Sequence, residues 1–166
     1  MVIVREAFGF PAVVNEKAAR VVAGGVALIT ATALLTGWLW LSAVLAVGFA
    51  LRVAAGPRYS PLGQLATKVV APRLGRPTLV AGPPKRFAQG IGATLSVGAL
   101  AGYLAGVPTL SWILVGMITV AAVLESAFAL CLGCVIFGRL QALGLIPVAV
   151  CEACNDVRSR YAPATS

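Results

Sequence analysis

The sequence predicts an all-α integral membrane protein: a four-transmembrane-helix bundle with an interfacial amphipathic helix in its central cytoplasmic loop and a cysteine-containing C-terminal tail. Residues 1–166 form a single membrane domain in this reading. Three observations predict it. The chain is 60% hydrophobic and only 11% charged, whereas soluble domains carry roughly 25% charged residues. Four apolar stretches are long enough to cross a hydrocarbon layer of about 30 Å, which takes roughly 17–25 residues as helix. Every basic residue falls on one side of the resulting four-span arrangement.

The spans are read at approximately 18–36, 38–55, 88–106 and 110–131. The first holds no ionisable group after Arg20 and follows a segment containing Glu6 and Glu16. No small-residue cleavage site follows it, so it is read as an anchor and not as a removed signal peptide. The first and second spans are joined by little beyond Thr36-Gly37-Trp38, the third and fourth by residues 106–109 with Pro108 as breaker. Neither turn carries a charge.

The basic residues are Arg5, Lys17 and Arg20; then Arg52, Arg58, Lys68, Arg73, Arg76, Lys85 and Arg86; then Arg139, Arg158 and Arg160. The positive-inside rule places the two termini and the loop 56–87 in the cytoplasm, and the expected location is a bacterial inner membrane. Trp38, Trp40, Tyr103 and Trp112 fall at the opposite ends of their spans, where an aromatic belt would form. The net charge of +8 follows from this topology and from attraction of the loop to anionic lipid. Nucleic acid is not an expected partner.

Within the loop, Ser60-Pro61 suits the N-cap and first position of a short helix. Leu62, Leu65, Ala66, Val69 and Val70 then repeat at helical spacing until Pro72, which predicts an amphipathic helix lying in the interface. Residues 73–86 read as turn-rich and irregular. In the third span, Gly92 and Ser96 form one small-residue pair and Gly98, Gly102 and Gly106 another stripe. Such stripes let helix backbones approach in lipid, either inside the bundle or in a homo-oligomer or larger membrane complex.

The chemistry-bearing residues lie in the fourth span and the tail, 131–154. The chain has no histidine, which excludes imidazole general bases, imidazole metal ligands and nucleophile-histidine pairs. It also lacks a phosphate-binding glycine loop with its lysine. The four cysteines fall in two pairs, Cys131-Leu-Gly-Cys134 and Cys151-Glu-Ala-Cys154, with 16 residues between. This spacing fits a four-thiolate zinc site, or an iron site with the same ligand count. The competing reading is thiol-disulfide or persulfide chemistry, for which a CxxC pair offers a thiol of lowered pKa. A permanent cytoplasmic disulfide is not expected. Glu125 is the one carboxylate within a span and a functional candidate by its depth. It precedes Cys131 by six residues, a rotation of about 600° on a continuous helix, so the two would not share a face. A hydrogen bond to Thr94, Ser96 or a backbone carbonyl is its alternative role. A small transporter is the remaining class, with few polar groups near the midplane to support it.

Arg52 to Leu62 (RVAAGPRYSPL), Pro72-Arg73-Leu74, the PKRFAQ run at 84–89, Glu125 followed by CLGC, and the closing CEAC together resemble the bacterial family catalogued as domain of unknown function 4395. The resemblance extends from Asn15 to Cys154. It implies association, in actinobacterial relatives, with thioredoxin-like and rhodanese-type sulfurtransferase proteins. The expected function is therefore thiol-redox or sulfur-transfer chemistry at a four-cysteine cluster with such a soluble partner, or else a structural zinc or iron site.

Overall fold

In the computed structural model, which describes Pro11 and residues 13–147, the chain is built almost wholly of helix. A short strand β1 (Val13–Asn15) leads into α1 (Glu16–Thr36), followed by α2 (Leu41–Ala55). A tight turn at Gly56–Arg58 leads to the short α3 (Pro61–Leu65), which continues through irregular helical turns to Leu74. The strand β2 (Leu79–Ala81) precedes α4 (Gly82–Leu104), α5 (Pro108–Phe128) and α6 (Leu132–Ala142).

Among the described residues, four segments are long and apolar enough to cross a membrane: α1, α4, α5 and the run from Leu41 to Leu74. A 21-residue helix such as α1 is about 32 Å long, which matches the hydrocarbon layer. The 15 residues of α2 reach only about 22 Å, and the helical turns beyond Ala55 extend that segment. Large apolar side chains cover the outer surface of the bundle, with Leu28, Leu35, Val97 and Met117 all exposed. An apolar exterior of this extent belongs against acyl chains and not against water.

The closest associations are α1 with α5 and α2 with α4, while α4 and α5 pack as a hairpin. Small residues permit these approaches. A side chain at Gly92 would enter the ring of Phe49 on α2, and one at Gly102 would meet Ser111 Oγ of α5 at 3.0 Å. Both small-residue stripes are thus used within the chain. Gly106 instead makes the α4–α5 turn, at φ 72°. Buried Ser111 donates to the Ala99 carbonyl at 2.7 Å, joining the hairpin by a hydrogen bond at a position where no water competes.

The described basic residues Lys17, Arg20, Arg52, Lys85 and Arg86 gather at one end, where α1 and α4 begin and α2 and α5 finish. Trp38, Trp40, Tyr103 and Trp112 lie at the other end and are exposed. At the basic end β1 pairs antiparallel with β2, in register Val13 with Ala81. Lys17 Nζ donates to the Leu74 carbonyl at 2.7 Å, so the long connection is tied to the start of α1.

Three expectations are corrected here. The third helix begins at Gly82 and not at 88, because Pro83 and Pro84 occupy first-turn positions where a missing N–H costs nothing. The fourth ends at Phe128 and not at 131. In the central connection Ser60 does cap α3 by accepting from Gly63 N at 3.3 Å, but regular helix stops at Leu65 and not at Pro72; Gly63, Ala66 and Ala71 are inward, and Leu65 and Val69 face outward. The irregular turns after Leu65 break the periodicity from which the stripe was read.

The packing of α2 on α4 is directly testable. Gly92→Leu must displace the Phe49 ring and should cost about 1–3 kcal/mol, read as a lowered Tm of the purified protein in detergent. Gly116→Ala, where nothing lies within 4 Å, should not lower Tm, since alanine is the better helix former. An unaltered Tm for Gly92→Leu would contradict the packing.

Candidate functional site

The local structure of the CLGC segment starts with how α5 stops. Ala129 adopts a left-handed conformation at φ 57°, its N–H bonding the Glu125 carbonyl at 3.1 Å while Leu130 N bonds the Leu124 carbonyl at 3.1 Å. This is a helix termination usually made with glycine. The chain then turns and Cys131, in an extended conformation, becomes the N-cap of the separate helix α6. Its sulfur accepts from Cys134 N at 3.3 Å. Cys131 and Cys134 are disulfide-bonded, their Cα atoms 5.2 Å apart.

Packing of α6 on α4 holds the pair in place. A Cβ at Gly133 would lie 2.5 Å from both Cα and Cβ of Ala88, so the residue just before Cys134 must be glycine for the two backbones to come this close. Phe137 meets Phe87 edge to face, with ring centroids 5.7 Å apart.

Beneath the pair lies a buried set of charges. Lys85 Nζ and Glu125 Oε1 are 2.5 Å apart, with side chains 10% and 15% exposed. The pair joins the first turn of α4 to the last turn of α5. On the neighbouring α2, buried Arg52 donates from Nε to Gln89 Oε1 at 2.8 Å and from a terminal nitrogen to Ser60 Oγ at 3.3 Å. Its guanidinium also lies 4.5 Å from the centroid of the Phe49 ring, a cation–π contact. Arg20 of α1 donates to the Ser126 carbonyl at 3.0 Å and to the Ala127 carbonyl at 3.2 Å. A cation at the C-terminal end of α5 also complements the helix dipole.

Two cavities meet at this layer. One, of about 210 Å³, is bordered by α1, α2, α4, α5 and α6, with Gln89, Glu125 and Cys131 among its lining residues. The other is a shallower groove lined by Glu16, Lys85, Cys131, Cys134 and residues of β2. Cys131 lines both; Cys134 lines only the outer groove. Cys131 is 8% exposed, whereas Cys134 is half-buried.

Three site expectations change. Glu125 does not pair with Thr94 or Ser96, whose hydroxyls donate to the Gly90 and Gly92 carbonyls of their own helix; its partner is Lys85. Glu125 and Cys131 do border one cavity, because the break at Ala129 cancels the 600° rotation expected of a continuous helix. The first pair, read from the sequence as either metal ligands or redox thiols with a permanent disulfide not expected, is joined as a disulfide. Cys151 and Cys154 lie outside the described residues. Among the described residues no group of three or more histidine, cysteine, aspartate or glutamate side chains could hold a metal.

Lys85, Gln89 and Arg52 are the site residues that the sequence reading missed as such. The available signal was Pro83-Pro84 as a helix start, which makes Lys85 a first-turn residue and puts Gln89 one turn beyond it.

The family model described as Domain of unknown function (DUF4395) matches residues 14–142. The chain belongs to that family. No curated protein and no solved structure matches it.

The ion pair yields a quantitative expectation. Lys85→Met or Glu125→Gln alone leaves a buried charge without its partner and should destabilise by about 3–5 kcal/mol. The double variant should lose less than the sum of the two. Thermal unfolding of all four proteins checks this, and strictly additive losses would contradict the pairing.

Proposed function

We propose that this member of the DUF4395 family is a thiol-disulfide exchange protein of the bacterial inner membrane, with both termini in the cytoplasm, acting on a soluble thioredoxin-like or rhodanese-type partner. The observation that carries the reading is the disulfide between Cys131 and Cys134 at the start of its own helix, beside the buried Lys85–Glu125 pair. A disulfide is exchanged by in-line attack of a thiolate on one sulfur, with the other sulfur leaving. Access favours attack at Cys134, which faces only the outer groove. The leaving sulfur is then Cys131, whose charge would be stabilised by the N-terminal N–H groups of α6, including that of Cys134.

The atoms balance in two exchanges. The partner's first thiolate forms a bond to Cys134 and releases Cys131 as thiolate; the partner's second thiolate then displaces Cys134, so the partner is oxidised and the CLGC pair is reduced. Cys151 and Cys154 supply a second pair in the same polypeptide, and the function proposed for all four is one cluster. Anionic lipid at the basic end would hold the protein's loop against the surface from which a soluble partner approaches.

The second reading is a four-thiolate zinc or iron site, favoured by the 16-residue separation of the pairs. One experiment separates the two. Thioredoxin lacking its resolving cysteine, added to the purified protein, should form a mixed disulfide that maps to Cys134 over Cys131 by about ten-fold, and bound metal should be far below one equivalent. Stoichiometric zinc or iron, with thiols that resist alkylation until a chelator is added, would overturn the exchange reading.

A further inference from the structure

The inner cavity lies in a part of the bundle that the exchange reaction does not use. Its walls are apolar, from Val22, Val26, Phe49, Leu95, Ile118 and Ala122, and Cys131 of the disulfide is among the residues that border it. Met117, Leu132 and Ile136 also line it and are exposed on the outer surface of the bundle. Its mouth therefore opens on the lipid-facing flank. A volume of about 210 Å³ holds a one- or two-ring head group, with any long tail left outside among the acyl chains.

The polar end of the cavity is specific. Gln89 Oε1 is occupied by Arg52 Nε at 2.8 Å, which fixes the amide so that its NH2 group is the remaining hydrogen-bond donor. Glu125 borders the same space and is held by Lys85. A hydrocarbon chain has no use for an oriented donor or for a buried carboxylate beside it. A ring carbonyl can accept from Gln89, and a carbonyl that becomes a hydroxyl on reduction can exchange a proton with the Lys85–Glu125 pair.

We propose that this cavity is a binding site for the head group of a membrane quinone, which reoxidises the CLGC pair. The proposal rests on the exchange reading, since it concerns the fate of the electrons which that reaction leaves on Cys131 and Cys134. The Cys131 thiolate, on the cavity side, adds to a ring carbon of the quinone and forms a C–S bond. The Cys134 thiolate attacks the Cys131 sulfur; the S–S bond forms, the C–S bond breaks, and the electron pair stays on the ring. Two thiols lose two protons and two electrons, and the quinone gains both to become the quinol. The disulfide thus has two working faces: Cys134 toward a soluble dithiol and Cys131 toward the membrane.

The test uses the full chain in lipid nanodiscs with reduced thioredoxin as donor and ubiquinone-1 as acceptor, following loss of the quinone absorbance. The protein should accelerate quinone reduction about a hundred-fold over the mixture without it, the scale gained by holding reactants in contact. Ala121→Phe, which fills the cavity, should abolish that acceleration while the first exchange with thioredoxin, measured without quinone, keeps its rate. Should that variant fail to fold, an azidoquinone applied to the unaltered protein should photolabel residues of α4 and α5 that line the cavity; labelling confined to other surfaces would overturn the proposal. Thioredoxin exchange with no quinone reduction would overturn the quinone site alone. Absence of any exchange with thioredoxin would overturn the parent reading and the quinone site with it.

Discussion

The salt bridge between Lys85 and Glu125 is the constraint on which the basic end of this bundle depends. Either charge left alone in that position is costly, since an unpaired charge within a span or core is destabilising. Their partnership obliges the first turn of α4 and the last turn of α5 to stay together. Once those two helix ends are joined, the chain leaving α5 has little freedom. The left-handed Ala129 reverses it, and Gly133 provides the gap through which α6 settles on Ala88. The position of the CLGC pair is a consequence of this sequence of contacts.

Small residues carry the remainder of the architecture. Burial of apolar surface against a neighbouring helix gains little over burial against lipid, so close backbone approach and hydrogen bonds must distinguish the packed state. Gly92 against Phe49, Gly102 against Ser111 and Gly133 against Ala88 supply the first. The Ser111 hydroxyl on the Ala99 carbonyl supplies the second. The same economy explains the buried Arg52, whose guanidinium is satisfied by Gln89, Ser60 and the Phe49 face without a carboxylate ion pair among the described residues.

Much of this was legible before any coordinates. Hydropathy located the four spans, the uncharged turns at Gly37 and Pro108 paired them into two hairpins, and the distribution of lysine and arginine picked out the basic end. The site was only half legible, for identifiable reasons. Lys85 looked like one of several loop cations because residues 73–86 were read as turn-rich and irregular, when Pro83 and Pro84 in fact sit in a helix's first turn. The end of α5 was invisible, because Phe128, Ala129 and Leu130 contain no residue that announces a left-handed turn. A continuous helix was the natural reading, and it carried Glu125 and Cys131 to different faces. The pairing of β1 with β2 spans three residues on each strand, too few for an alternating pattern to register.

The central claim is that α6 folds back at Ala129 and packs on α4, which sets the disulfide above the buried charges. Cysteines introduced at Phe87 and Phe137, in a background lacking the native four, test it most directly. The native side chains at those positions meet, with ring centroids 5.7 Å apart, so a short bifunctional maleimide added to native membranes should crosslink the two cysteines within one polypeptide, read as a mass shift of the peptide that joins them. The account predicts efficient crosslinking there and none between Phe87 and a cysteine placed at exposed Phe128. Crosslinking of the second pair and not the first would place α6 away from α4 and contradict the site.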